Sequence, residues 1–378
     1  MKVCVSVHGR FHAFELARGL QGRGALECLL TTYPAFVPRR VVGPGAPLRT
    51  APWLEVWRRL YPKLRLGPQP DLAISKAFGR FAAGALKNIH ADVLVGWSSA
   101  TLEAVPVARD KGMKVVIERG STHIAHQTEL LRDEYRRYGL DFQATAPGMV
   151  ARELREYELA DAIAVPSRFA ARTFIERGIP ESKLIVVPMG VDLGQFSPGP
   201  SNNADRLPRI LFVGAVGLRK GVPLLLRAFA RLKDRAELHL VGPVEDDFRP
   251  IMATLPLDNV VVRGPVTGES LQGLYADADI FCLPSVEEGF GMVVTEAMAC
   301  GIPPVVTERV GASDTITPGE NGLIVEGDGE EALAEALVKL VSNPDLRQTM
   351  GTAARKRVLS GCGWEDYADR ALAAYEKL

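Results

Sequence analysis

Short runs of apolar residues alternate along most of the chain with longer stretches in which apolar residues recur every three or four positions. A run of about four to eight apolar residues is typical of a strand buried on both faces, and the longer period is typical of a helix. In the first half this pattern predicts strands at residues 2–7, 26–31, 92–95, 114–117, 162–165 and 184–187. It predicts helices at 13–23, 72–88, 126–138, 149–159 and 170–177, with Ser167 as an N-cap, and another from Thr101.

Residues 191–208 interrupt the pattern with closely spaced Pro, Gly, Ser and Asn, which is typical of a linker. A second series of strands is predicted beyond it, at 210–213, 237–241, 260–263, 279–283, 305–306 and 323–325. Its predicted helices lie at 222–233, 270–275, 293–300, 330–340 and 346–359, with a final helix from residue 364.

This alternation implies mostly parallel sheets, and 378 residues exceed the usual size of a single core. We therefore expect an α/β fold with two Rossmann-like domains that face each other across a cleft. The first would cover residues 1–190 and the second residues 209–363.

Residues 34–70 depart from the alternation and are rich in Pro, Gly and Arg, with Trp53, Trp57 and Tyr61 among the basic residues. Residues 36–87 hold ten Lys and Arg against two Asp and Glu. Interleaved aromatic and basic side chains suit an anionic membrane surface. One expectation is a peripheral membrane contact through residues 39–65, and the alternative is an ordinary loop and helix with a solvated basic face. Nucleic acid is not an expected partner, because the sequence contains no motif of a known nucleic-acid recognition module.

Other global features narrow the class of protein. The formal net charge is zero, although residues 1–190 hold 27 Lys and Arg against 18 Asp and Glu. No stretch of about 18 apolar residues occurs, so no spanning helix is expected. The first residues form a strand pattern rather than a signal peptide, and the five cysteines are scattered without a CxxC pair. We expect a cytoplasmic protein with reduced thiols, at the inner face of a membrane if the basic segment makes contact.

A glycine-rich loop with two glutamates stands between a predicted strand and a predicted helix. Residues 285–291 read Ser-Val-Glu-Glu-Gly-Phe-Gly, and Glu296 follows about one turn into the helix. Gly289 and Gly291 allow the backbone to approach a ligand, and the helix N-terminus favours an anion such as phosphate. With the carboxylates of Glu288 and Glu296, the loop indicates a sugar-nucleotide site. The alternative is a strand–loop–helix corner whose glutamates are solvated.

A second basic loop, with Arg219 and Lys220, lies between the first strand and first helix of the second domain. Doubly wound folds bind pyrophosphate at this place, and Gly214, Gly217 and Gly221 make the loop tight. The first and fourth strands of such sheets are often neighbours, so the loops at 214–221 and 284–291 are expected to close on one ligand. A surface turn with solvated cations is the alternative.

Histidines offer little support for a metal site. His8 and His12 straddle a strand–helix turn, and His123 lies three residues before His126, with Glu129 beyond. No third ligand follows at a diagnostic spacing. We interpret the first pair as part of a polar loop that lines a cleft, and expect no metal. A core or helix-start position is the alternative for His123.

The second domain resembles the retaining GT-B glycosyltransferases of family 4. Glu288 through Glu296 matches that family's E-x7-E signature with its Gly-Phe-Gly, and residues 212–221 match its phosphate loop. Residues 187–196 resemble its interdomain segment. The first domain is more loosely similar, at residues 9–12 and 118–124.

The resemblance implies a role for each matching residue. Glu288 would bind the donor sugar, the backbone at Gly289, Phe290, Gly291, Met292 and Val293 the sugar and phosphate, and Glu296 the ribose. Arg219 and Lys220 would neutralise the diphosphate, with Gly214 in the same loop and Gly9 and Arg10 approaching from the first domain. His123 would contact the transferred sugar, the backbone near Arg263 and Val266 would frame the base, and Arg119 and Ser121 would face the acceptor. One departure is Ala215, where many members carry Arg; Arg219 would supply that charge.

The implied activity is transfer of a hexose-type sugar from a UDP- or GDP-sugar to a hydroxyl on a glycan, a lipid-linked molecule or a small molecule. It would proceed with retention by front-face attack, in which oxygens of the leaving phosphate help to deprotonate the acceptor, without a metal or other cofactor. The helix at 364–378 would cross back onto the first domain. Two alternatives remain: a sugar-nucleotide epimerase of the same fold, and a non-catalytic module that binds a sugar nucleotide or a membrane surface. No sequence sign supports the pyridoxal phosphate that a phosphorylase would need.

Overall fold

The computed structural model describes residues 1–61, 70–142, 145–199, 206–232, 234–327 and 329–378. The first domain contains strands β1 (Val3–Val7), β2 (Leu26–Thr31), β3 (Leu48–Thr50), β4 (Val93–Trp97), β5 (Lys114–Glu118), β6 (Ala162–Val165) and β7 (Leu184–Val186). Its helices are α1 (Ala13–Gly22), α2 (Phe36–Val42), α3 (Pro52–Leu60), α4 (Asp71–Leu86), α5 (Ala104–Asp110), α6 (Ile124–Arg137), α7 (Pro147–Leu159) and α8 (Arg168–Ile175).

The second domain contains strands β8 (Arg209–Val213), β9 (Glu237–Val241), β10 (Val260–Gly264), β11 (Ile280–Leu283), β12 (Pro304–Thr307) and β13 (Leu323–Val325). Its helices are α9 (Val222–Phe229), α10 (Arg249–Met252), α11 (Glu269–Ala276), α12 (Met292–Ala299), α13 (Glu330–Val341) and α14 (Pro344–Leu359), and the chain ends with α15 (Trp364–Tyr375).

Both sheets are parallel and have the order of doubly wound folds. The first runs β3-β2-β1-β4-β5-β6-β7 and the second β10-β9-β8-β11-β12-β13. The predicted α/β fold with two Rossmann-like domains is confirmed. In each sheet the strand order reverses beside the first strand, at β1 and β8, and such reversals open a crevice at the carboxyl ends of the strands. The crevices of the two sheets are the expected place for a ligand.

The strands form because their side chains are buried on both faces. Every residue of β1, β4, β6, β11 and β12 is buried, which explains why mainly apolar runs predicted them. The hydroxyl oxygen of Ser167 accepts a hydrogen bond from the backbone N–H of Ala170 at 3.0 Å, as expected of an N-cap. All five cysteines are buried thiols.

The expected break at residues 34–70 was wrong over most of its length. The alternation continues there through α2, the short edge strand β3, and α3. Lys63 and Arg65 lie outside the described residues, as do residues 200–205 of the predicted linker. No helix within the described ranges combines the length and the apolar content needed to cross a bilayer.

The last helix, α15, packs on the first domain, as the resemblance implies. Its side chains Tyr367 and Tyr375 are buried in the same core as β1 and α1. Gly19 of α1 lies so close to this helix that a Cβ atom there would be 2.2 Å from Cβ of Ala368. The chain passes between the domains twice, near Val191 and near Cys362. The backbone N–H of Val191 donates to the carbonyl oxygen of Cys362 at 2.9 Å, so the two connecting segments lie side by side.

Candidate active site

A cavity of about 620 Å³ lies between the two domains, where the carboxyl ends of β1, β4 and β5 face the loop after β11. Residues from both domains line it: His8, Arg10, Phe11, His12, Glu15, Trp97, Ser98, Ser99, Arg119, Gly120, Ser121, Met189, Glu288, Phe290, Gly291, Met292 and Trp364. Ligands of doubly wound folds bind in the crevice at the carboxyl ends of the strands, so this cavity is the candidate active site.

The loop at 288–291 is shaped by its glycines. A Cβ atom at Gly289 would be 2.4 Å from Cα of Ser121 and 2.7 Å from the carbonyl oxygen of Gly120, so the first domain touches this backbone directly. Gly291 has φ of 89°, the left-handed region that favours glycine, and it is the N-cap of α12. Met292, the first residue of α12, lines the cavity, so the N-terminus of this helix lies at the cavity wall.

Lys220 and Glu288 form an ion pair at the edge of the cavity. The ammonium group donates a hydrogen bond to Oε2 of the carboxylate. The pairing follows from the topology, because β8 and β11 are adjacent and the two residues lie in the loops after them. Burial and the neighbouring Arg219 charge lower the pKa of Lys220 to about 8. An anion that enters the cavity would therefore meet a partly desolvated cation.

Arg219 binds a residue to which the sequence assigned no role. Its Nε and one terminal nitrogen lie 3.0 and 2.8 Å from Oε2 of Glu287, which is fully buried. Glu287 also accepts hydrogen bonds from Ser121, Thr122 and Gln127 of the first domain at 2.9, 2.7 and 2.9 Å. Burial alone would raise the pKa of Glu287, but the Arg219 charge and the three bonds from the first domain outweigh it and lower that pKa to about 2. Glu287 thus joins the domains as a carboxylate.

Other residues expected to bind the donor lie along the same edge of the second sheet but outside the cavity lining. Glu296 accepts a hydrogen bond from the hydroxyl of Tyr275 at 2.8 Å, and its burial raises its pKa. Gly214 packs closely on the loop after β9, since a Cβ atom at Gly242 would lie 1.9 Å from its carbonyl oxygen. Arg263 is exposed at the end of β10, and Val266 and Val293 are half-buried.

In the first domain the structure brings most of the expected residues to the cavity. Arg10 lines it, and the carbonyl oxygen of Gly9 accepts a hydrogen bond from the Thr31 hydroxyl at 3.0 Å. Arg119 and Ser121 also line it. Arg119, however, is held by Glu153 at 3.0 Å, and Ser121 by Glu287, so both already have partners within the protein.

His123 is another expected site residue that does not line this cavity. Its ring packs between Tyr157 and Phe174, with centroids 5.3 and 5.0 Å away. It is the N-cap of α6, and its Nδ1 accepts a hydrogen bond from the N–H of Ala125 at 3.3 Å. Burial and the Arg177 charge lower its pKa to about 4. The contact with the transferred sugar implied by the resemblance would require a different orientation of this ring.

The histidines that line the cavity are His8 and His12, on the loop after β1. His12 lies 2.8 Å from a carboxylate oxygen of Glu118 through Nε2, and both side chains are buried. Burial, with the charges of Arg58 and Arg152, lowers the pKa of His8 to about 3. The sequence signal for this pair was slight: two histidines beside Gly9, directly after a buried strand.

Within the described ranges no group of three or more His, Cys, Asp or Glu side chains lies close enough together to hold a metal ion.

Two family descriptions match the chain in tandem. Residues 10–195 match Glycosyltransferase Family 4, and residues 196–357 match Glycosyl transferases group 1. Together they span both domains and the cavity between them.

Curated relatives match over part of their length. D-inositol 3-phosphate glycosyltransferase of Kribbella flavida is 34% identical over 220 residues, which cover 52% of this chain and 52% of that protein. GDP-mannose-dependent alpha-(1-6)-phosphatidylinositol monomannoside mannosyltransferase of Mycolicibacterium smegmatis is 30% identical over 227 residues, or 54% of this chain and 59% of that protein. The chain thus spans about half the length of the curated relatives it matches.

Solved structures match over the whole chain. Sucrose-phosphate synthase from Thermosynechococcus elongatus superposes with a TM-score of 0.72 at 21% identity, covering 100% of this chain and 98% of the other. HepE of Anabaena in complex with UDP-glucose superposes with a TM-score of 0.71 at 16% identity, covering 100% of both chains. At these identities the likeness shows the fold alone.

Proposed function

The chain belongs to glycosyltransferase family 4, and from this premise we propose that it moves a hexose-type sugar from a UDP- or GDP-sugar to a hydroxyl acceptor. The transfer retains the configuration at the anomeric carbon by front-face attack, and fixed cations and backbone N–H groups replace a metal ion. The ion pair of Lys220 with Glu288 at the edge of the cavity carries this proposal.

The Lys220–Glu288 pair can bind a sugar nucleotide because each of its two charged groups can contact a different part of that donor. A diphosphate oxygen replaces Glu288 as the partner of Lys220, and the freed carboxylate accepts hydrogen bonds from the sugar hydroxyls. The N-terminus of α12 adds N–H groups beside Gly291. As the bond between sugar and phosphate breaks, negative charge develops on the leaving diphosphate, and donors already in place stabilise it without reorganisation.

The other residues proposed to bind the donor are assigned by their positions at the carboxyl ends of the strands. Glu296 binds the ribose hydroxyls after releasing Tyr275, and the backbone between Arg263 and Val266 frames the base. Arg10 approaches the diphosphate from the first domain. Arg219 contributes its charge from its position beside Glu287, and His123 has no part in this proposal.

The acceptor is a phosphorylated or lipid-linked polyol. Two relatives are named for transfer to inositol 3-phosphate and to a phosphatidylinositol mannoside. In this chain Trp53, Val56, Trp57 and Leu60 are exposed at positions i, i+3, i+4 and i+7 of α3, which forms an apolar stripe. Arg58 of the same helix donates to the carbonyl oxygen of His8 at 2.7 Å, so the stripe is tied to the wall of the cavity. This geometry favours an acceptor presented at an anionic membrane surface.

Thermal unfolding in the presence of UDP- and GDP-sugars tests the donor. A ligand that binds only the folded protein raises Tm, because at a hundredfold excess over Kd it adds about 2.7 kcal/mol to the free energy of unfolding. The stabilising donor is then incubated with inositol phosphates and phosphatidylinositol, and the product linkage is assigned by nuclear magnetic resonance. An α product from an α-linked donor supports retention. A new sugar nucleotide formed without acceptor indicates the epimerase, and binding without turnover indicates the non-catalytic module.

Sedimentation with vesicles tests the membrane contact. Vesicles containing phosphatidylglycerol are expected to retain the protein at low salt and to release it at high salt. The double change Trp53→Ser and Trp57→Ser is expected to weaken binding by about tenfold or more, because the apolar stripe is lost. Leu359→Ser, at an equally exposed position on α14, is the matched control. Absence of binding at low salt would remove this contact.

A further inference from the structure

His12 and Glu118 form a buried histidine–carboxylate pair at the first-domain wall of the cavity. His12 follows β1 and Glu118 ends β5, and β4 lies between these strands. Nε2 of the imidazole is 2.8 Å from Oε1 of the carboxylate, and both side chains are less than a tenth exposed. The donor proposal above assigns no role to either residue.

The ring is held on two sides by aromatic side chains. Trp97 at the end of β4 lies 5.0 Å from it between centroids, and Tyr367 of α15 meets it edge-on at 5.8 Å. With Glu118 at Nε2, these contacts fix the orientation of the ring. A carboxylate at one nitrogen also fixes the tautomer: the proton is assigned to Nε2, and Nδ1 keeps its lone pair.

Gly120 leaves the other edge of the ring uncovered. A Cβ atom at this position would lie 3.3 Å from Cε1 and 3.9 Å from Nδ1 of His12. Both residues line the cavity, so a side chain at 120 would stand beside the edge that carries the basic nitrogen. The geometry is that of a nitrogen base aimed at a substrate with a carboxylate behind it.

We propose that His12 accepts the proton of the acceptor hydroxyl during sugar transfer, with Glu118 as its positioning residue. The acceptor oxygen forms a bond to the anomeric carbon as the bond from that carbon to the phosphate oxygen breaks. The hydroxyl proton passes to Nδ1, and the nucleoside diphosphate leaves with the bonding electron pair. The imidazolium that results is stabilised by Glu118 and later returns its proton to water. This step rests on the proposed transferase function.

Among the groups that line the cavity, His12 is the one suited to accept a proton. His8 also lines the cavity, but its lowered pKa, about 3, reflects burial beside two arginines. Glu288 is occupied by Lys220 or by the donor sugar. The titratable and charged groups around His12 are Glu118 from β5, Tyr367 from α15, Arg10 and Glu15 beside it in sequence, and Arg119 and Glu288 across the cavity. The competing proton acceptor is the leaving phosphate itself.

The pH dependence of kcat/KM separates these two acceptors. In the wild-type enzyme kcat/KM is expected to rise with pH, because only the neutral ring of His12 accepts a proton. His12→Gln is expected to remove this rise and to lower kcat/KM by about a hundredfold or more at its upper end. Donor affinity, measured by calorimetry, is expected to change by less than about threefold, since the charges that bind the diphosphate are untouched. His90→Gln, at an exposed position outside the cavity, is the matched control.

Glu118→Gln distinguishes positioning from packing. The amide preserves the size of the side chain and one oxygen, but the imidazolium loses its counter-charge, so the rise in kcat/KM is expected to shift to lower pH. An unchanged profile would show that Glu118 does not act through His12. A purely structural His12 would give a His12→Gln profile of unchanged shape, lowered equally at every pH, and that result overturns the proposal. If no nucleotide sugar binds or is turned over by the wild-type protein, the proposed function fails first and this inference falls with it.

Discussion

Glu287 in the second domain accepts a hydrogen bond from the hydroxyl of Ser121 in the first domain at 2.9 Å, across 166 positions of sequence. The same carboxylate binds Arg219 of its own domain, and its side chain is fully buried. The Glu287 carboxylate therefore links the contact between the two domains to Arg219, which lies in the same loop as Lys220. We call this group of contacts the Glu287 latch.

Glu287→Gln is expected to weaken cleft closure while leaving each sheet folded. The amide loses the charge that holds Arg219, and losing one partner of a buried ion pair costs about 3–5 kcal/mol. Because the Arg219 side chain is 37% exposed and can be rehydrated, we expect a cost below this range, roughly 2 kcal/mol. Small-angle scattering should show a larger radius of gyration and calorimetry a lower Tm.

Ser121→Ala provides the comparison for this variant, because it removes one hydroxyl and no charge and should cost about 1 kcal/mol. A scattering profile of Glu287→Gln identical to that of the wild type would contradict the latch.

The latch also predicts a pH dependence of stability. Its depressed pKa, about 2, means that the folded protein holds Glu287 ionised while the unfolded chain protonates it near its ordinary value of 4.5. The stabilisation is therefore complete above pH 4.5 and is lost as pH falls from there toward 2, by up to roughly 3 kcal/mol. Urea midpoints measured between pH 7 and pH 3 should fall more steeply for the wild type than for Glu287→Gln. Parallel curves would contradict the predicted contribution of Glu287 to the pH dependence of stability.

The fold could be predicted from the sequence because its strands are buried on both faces. The predicted bounds of β6 match the structure residue for residue, since an apolar run with no polar interruption ends where burial ends. β3 was missed because it is a three-residue edge strand with no fully buried side chain, and α10 because four residues show no helical period.

The candidate site could be predicted only as far as it follows from strand order. Lys220 meets Glu288 because β8 and β11 are neighbours, which the sequence already indicated. The pairing of His12 with Glu118 depends on the direction of two side chains more than a hundred residues apart, and periodicity does not encode that direction. His123 stands in a motif that resembles the family, but its position as an N-cap turns the ring into the core.

Lys220→Ala and Glu288→Gln are each expected to lower kcat by about a hundredfold or more, the effect of losing one preorganised stabilising group. In each variant the remaining partner keeps a charge that was paired in the free protein, so Tm should fall without donor. Steady-state kinetics with the donor found by thermal unfolding measures the first effect.

Arg231→Ala is the control for these variants, because it breaks an exposed ion pair with Glu331 away from the cavity. Near-wild-type turnover in either Lys220→Ala or Glu288→Gln would exclude the assignment of the donor phosphate and sugar to this pair.

Gly289→Ala tests whether catalysis needs the closed cleft. The three nearest atoms to a Cβ at this position all belong to Gly120 and Ser121 of the first domain, at 2.4–3.1 Å. Alanine should therefore fit within the second domain and push the first domain away by roughly an ångström. Such a displacement of reacting groups costs about a hundredfold in rate, while donor affinity, which depends mainly on the second domain, should change little. Gly84→Ala, at an exposed position of α4 with open space around it, should instead raise stability by about 0.5–1 kcal/mol and leave turnover unchanged. If Gly289→Ala keeps the wild-type kcat, closure against Gly120 and Ser121 is not required for transfer.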